Sequence, residues 1–157
     1  DQVADFGRKY LSGAEGPARI AQLGEKVIAA TSPLGLPMYA GYRNMALAGD
    51  DAARALQVMF VLRELRGDVH FKALSLSDIT PVEAHMLHGG RDYTMMFGFA
   101  EPFADGTEKA ERYAEVEEAT NRRMTEIFAA ALDHDEAAEL ARLSVGALAA
   151  LKANVPG

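Results

Sequence analysis

The chain has no cysteine, and no apolar run in it approaches the ~18 residues that cross a bilayer. The first absence excludes disulfides, thiolate metal sites and cysteine nucleophiles, and it fits a reducing compartment. Positive charge is also short: 16 Lys and Arg stand against 23 Asp and Glu, a formal charge of -7. A polyanion is held where cations cluster and release its counterions. The net charge therefore disfavours DNA as a partner unless a local basic patch exists. Asp1 opens the chain without Met, and Arg8 and Lys9 are not followed by the apolar stretch of a signal peptide. The expectation is a cytoplasmic protein with no membrane partner, the chain being processed, trimmed or part of something longer. No Ser/His/Asp ordering, phosphate loop or paired-carboxylate pattern is found. No catalytic residue is assigned and the cofactor is unknown.

What is present reads as helix. The 157 residues, 49% hydrophobic and 25% charged, suit a single helical domain over 1–157. Val3, Phe6, Tyr10 and Leu11 recur at helical spacing and predict a short first helix broken by Gly13 and Gly16. Pro17 suits the first turn of a second, which carries Ile20, Leu23, Val27 and Ile28. Thr31 to Pro37 is turn chemistry, and Met38 to Leu47 is read as helical. Asp50 or Asp51 caps the most apolar segment, Ala52 to Leu65. Leu56, Val58, Met59, Phe60, Val61, Leu62 and Leu65 cover nearly all its faces, which marks a central helix. Gly67 is expected to end it, and a short helix with Val69, Phe71, Leu74 and Leu76 inward to follow.

Thr80-Pro81-Val82-Glu83 is a capping box with Pro at the first helical position, opening a helix expected to stop at Gly89 and Gly90. Arg91 to Gly106 is read as a loop rich in Tyr93, Met95, Met96, Phe97, Phe99 and Phe103, which must lie against the core or a partner. Residues 107–152 are read as a C-terminal helical pair: a long helix from Thr107 to about Leu132, then a last one from Glu136 to about Lys152. No segment alternates with period two, so the fold class is all-α.

Three stretches carry a resemblance. Gly35-Leu36-Pro37-Met38-Tyr39-Ala40-Gly41, the string from Leu62 to His70 (LRELRGDVH), and Thr80 to Leu87 (TPVEAHML) resemble the C-terminal half of the SalK-like family of actinobacterial helix-turn-helix-like proteins. The resemblance implies a helix-turn-helix-like core over 33–90, with the Thr80 helix in the place of a recognition helix. In the family a third helix and wing follow, where this chain has the apolar segment Arg91 to Gly106. The implied function is a helix-turn-helix-derived binding or regulatory module. The alternatives are a DNA-binding transcriptional regulator, and a helical small-molecule binder or enzyme of secondary metabolism using 91–106.

Four groups of side chains are candidates for a site. Arg63, Arg66, Asp68 and His70 either grip a ligand or serve structure, with Arg66 and Asp68 paired across Gly67 and His70 on a helix end; the structural reading is preferred. The Arg66-Gly67-Asp68 tripeptide suggests cell adhesion only on an exposed loop of a secreted protein, which the chain does not resemble. His85 and His88, three apart, share a helix face and with Glu83 or His70 could make an imidazole–carboxylate metal site. A pair with this spacing is a weak signal, and no metal is assigned. Met95, Met96, Phe97 and Phe99 suit a satellite core, a homodimer interface or a site for an apolar small molecule. A DNA-reading helix wants Arg, Lys, Asn or Gln near its start. From Thr80 to Met86 this one has none, and Arg43, Lys72 and Arg91 are scattered in sequence.

Overall fold

The computed structural model describes residues 1–154, and among these the chain forms seven α-helices, one short 3-10 turn and no strand. The order is α1 (Gln2–Leu11), α2 (Pro17–Ala30), α3 (Pro37–Tyr42), α4 (Asp51–Ser75), α5 (Pro81–Met96), the turn Thr107–Lys109, α6 (Ala110–Ala131) and α7 (His134–Asn154). The all-α fold class is as the periodicity implies. None of these helices is long and apolar enough to cross a membrane. The helices gather into two compact units, one holding 1–68 with the residues from 124 onward, the other 69–123.

In the first unit, α4 is the centre. Ala53, Ala55, Val58, Val61 and Leu65 are buried, as are Ile20, Leu23 and Val27 of α2 and Leu140 and Leu143 of α7. Two glycines set how closely the helices approach. A Cβ on Gly24 of α2 would stand 2.3 Å from Val58 Cγ1, and one on Gly7 of α1 would stand 2.7 Å from the Ala52 carbonyl oxygen. Both sites therefore require a residue with no side chain. Helix α7 packs against α2 and α1. Arg19 reaches Glu139 at 2.8 Å, and Lys26 bonds Glu136, both from α2 to α7.

Helix α4 departs from expectation: it passes through Gly67 and runs to Ser75 without a break. A helical glycine costs about 1 kcal/mol relative to alanine. Burial of Leu65 and Val69 on either side, with the hydrogen bond that Asp68 accepts, offsets that. The buried Asp68 carboxylate accepts the Tyr39 backbone N–H at 2.8 Å. It thereby caps α3, whose own N-cap Leu36 offers no side-chain acceptor. Helix α3 itself is only Pro37–Tyr42, shorter than the expected segment to Leu47.

The second unit has a small core of Ile79, Ala84 and Val116, with Ala73, Leu74 and Tyr113 packed on it. Here the expected loop at 91–106 is corrected. Gly90 breaks the helix with φ 74° and ψ -165°, a backbone region essentially restricted to glycine. Helix resumes at once and continues to Met96, so only residues 97–106 precede the 3-10 turn. The resumed turn is held by Thr94 Oγ1 donating to the Gly90 carbonyl at 2.8 Å and by Arg91 in a two-point bond to Glu101.

Candidate functional site

Within 69–123 the chain runs from the last turns of α4 through a tight connection into α5, and local hydrogen bonds define that connection. Ser77 Oγ donates to the Leu74 carbonyl at 2.7 Å and accepts the Ile79 N–H at 3.2 Å, so one hydroxyl closes α4 and starts the turn. Thr80 and Glu83 complete the capping box: Glu83 N–H donates to Thr80 Oγ1 at 3.3 Å, and Thr80 N–H donates to Glu83 Oε2 at 2.8 Å. Lys109 adds a clamp. Its Nζ donates to Glu83 Oε2 at 2.9 Å and to the Asp78 carbonyl at 2.7 Å. The Glu83 carboxyl is held down to about 2 by the Thr80 backbone N–H first, then by the Lys109 and Thr80 side chains. Lys109 is correspondingly raised by its bond to Glu83.

The outer face of α5 follows from helix spacing. Glu83 and Ala84 point inward, whereas Pro81 and His88 are exposed and His85 is half-buried. His85 Nδ1 lies 2.7 Å from the Pro81 carbonyl, and its ring packs on Tyr93, Phe97 and Phe99 with centroids 5.7, 4.8 and 5.2 Å away. His88 lies 5.2 Å from the Tyr93 ring and 3.3 Å from the Tyr113 hydroxyl. Thus the two histidines belong to an aromatic cluster. Glu83 is turned into its cap, and among the described residues no group of three or more His, Asp or Glu is placed to hold a metal ion.

The other sequence candidates are dispersed. His70 sits in the second unit, its Nδ1 3.4 Å from both Thr120 Oγ1 and a Glu117 carboxylate oxygen. Asp68 faces Tyr39, and Arg63 pairs with the adjacent Glu64. Arg66 is exposed on α4. Met95, Met96 and Phe97 are exposed at 44, 70 and 53%, while Phe99 is half-buried beside His85.

Of the three cations that stand outside the start of α5 in sequence, two are engaged. Arg43 donates to the Thr31 carbonyl at 2.9 Å and lies over the Tyr39 ring, and Arg91 is held by Glu101. Lys72 is exposed near the end of α4. Residues 69–123 contain six Lys or Arg against ten Asp or Glu. Lys109 was missed from sequence because it stands 26 positions from the carboxylate it binds.

The connection is thus a helix, a turn closed by its own hydroxyls and a capped second helix. Residues 1–109 match the helix-turn-helix family, and the chain belongs to that family. No curated protein and no solved structure matches it.

Proposed function

We propose that the protein is a helix-turn-helix-derived binding or regulatory module with weak or no affinity for DNA. One observation carries the reading: the outer face of α5 presents Pro81, His85 and His88 where a DNA reader needs cations, inside a unit with more acid than base. The nearest lysine, Lys109, is spent on the cap of that same helix. Within the helix-turn-helix family, the string from Leu62 to His70 and the Thr80 capping box support a place in the SalK-like branch. The absence of cysteine supports a cytoplasmic setting.

The test is fluorescence anisotropy of a labelled random-sequence duplex between 50 and 200 mM salt. Affinity that rests on phosphate contacts falls with salt at a log–log slope of about -0.9 per contact. Weak binding with a nearly flat slope is expected. A slope steeper than about -4 would instead establish the DNA-binding regulator.

The same unit supports self-association as a homodimer. Met95, Met96 and Phe97 form a run of large apolar side chains facing water. Their exposure favours a surface for a second copy over a closed lid on a small molecule.

A further inference from the structure

An apolar groove of about 460 Å³ opens in the first unit, between α1 and α4, and of the candidate site residues only Arg63 lines it. Helix α1 contributes Gln2, Val3 and Phe6. Helix α4 contributes Leu56, Met59, Phe60 and Arg63, which at spacings of 0, 3, 4 and 7 form a single stripe. The two helices run antiparallel: Asp1 bonds Gln57 at 2.6 Å, and Arg8 bonds Asp50 at 2.8 Å. Gly7 draws the backbones together at Ala52 and Ala53. Toward the other end the stripe is left partly uncovered, with Phe6 at 41% exposure and Leu56, Met59 and Phe60 only half-buried.

Three properties set the class of occupant. The volume lies within the range of small-molecule sites, roughly 300–1,000 Å³. The walls are hydrocarbon, aromatic ring and one adaptable thioether. The charged group on the rim is Arg63, whose side chain is 76% exposed and among the described residues pairs with Glu64 through Nη1. A guanidinium has five N–H donors in a planar fork suited to a carboxylate, and one bond leaves most of them available.

We propose that this groove binds a compact apolar molecule carrying one carboxylate. Its hydrocarbon body lies on Val3, Phe6, Leu56, Met59 and Phe60, and its carboxylate meets Arg63. The groove shares no residue with α5, so it stands or falls independently of the DNA reading.

The seven methionines make the test direct. The chain carrying isotope-labelled methionine methyl groups is titrated with octanoate, octanol and octylammonium, and each methyl resonance is followed. Octanoate is expected to shift Met59 saturably while Met95 and Met96 stay fixed. Arg63→Gln, which keeps an amide donor beside the buried Glu64 and is checked by its thermal melt, weakens octanoate about two- to fivefold, the worth of one exposed ion pair. The same change leaves octanol untouched, and octylammonium binds more weakly than octanol to the parent chain. Phe6→Gln weakens all three. Equal shifts of all methionines, or shifts confined to Met95 and Met96, would overturn the proposal. So would octanoate affinity indifferent to Arg63→Gln, or a Met59 that responds to an amphipathic helical peptide and not to octanoate.

Discussion

Asp68 and Glu83 are both carboxylates used as helix caps, one reaching across to another helix and one closing its own. Because Asp68 is buried and bonded to the Tyr39 N–H, Asp68→Ala strands a buried donor. The loss expected is about 1–3 kcal/mol, with Asp68→Asn losing less because an acceptor oxygen remains. Urea denaturation of the three proteins checks this, and an alanine variant as stable as the parent would refute the cap.

Glu83 gives a prediction in pH. Its folded carboxyl, at about 2, lies below its ordinary 4.5, so between these values the unfolded chain binds more protons than the native one. Stability from this group is therefore complete above about pH 4.5 and is lost as pH falls toward 2. The melting temperature of the parent should drop through that window, and Glu83→Gln should flatten the drop while leaving a lower plateau at neutral pH. Parallel acid limbs in the two proteins would mean the cap contributes nothing. Asp50 and Glu101, each lowered by its own hydrogen bonds, add the slope that persists in the variant.

At the scale of elements, glycine has three different roles that composition cannot separate. Gly24 faces Val58 Cγ1 at a distance no Cβ can occupy, and Val58 is fully buried. Gly24→Ala should destabilise by about 1–3 kcal/mol through overpacking. Gly146, in α7 with nothing near its Cβ position, should gain about 0.4–1 kcal/mol as alanine. Thermal melts of the two variants should move in opposite directions. Gly67 continues a helix that the sequence pattern ends there, and Gly90 breaks one that then resumes.

This separates what was legible in the sequence from what was not. The Thr80 box, Pro17 at the start of α2 and the apolar face of α4 are local patterns whose partners lie within one or two turns. The stop at Gly67 was misread because the forces that carry α4 onward, burial of Val69 and the bond from Tyr39 to Asp68, come from distant parts of the chain. The same distance hid the Lys109 clamp and the groove, which needs Phe6 and Phe60 together. Among the candidate site residues, His85 and His88 do share a face as their spacing implied. What they meet there is aromatic rings, and that depended on the helix resuming past Gly90.

At the scale of the whole molecule, the question is how a second copy would be held. Met95, Met96 and Phe97 follow the Gly90 break, so the same glycine that interrupts α5 also turns their side chains outward with Tyr93 and His85 beneath. A hydrophobic run facing water gains free energy by covering itself, at roughly 25 cal/mol per Å² of apolar surface. The net charge of -7 opposes close approach of two copies at low salt. Both terms predict association that strengthens with protein concentration and with added salt, the reverse of the salt response of phosphate binding. Sedimentation velocity at two concentrations and two salt levels measures it. The parent should shift toward dimer at the higher of each; Met96→Gln, at a side chain 70% exposed, should weaken that shift with little loss of thermal stability, and adding Phe97→Gln should keep the chain monomeric in all four conditions at the cost of the Phe97 contacts with His85 and Tyr93. A parent that sediments as a monomer throughout would show that this surface has no affinity for its own copy.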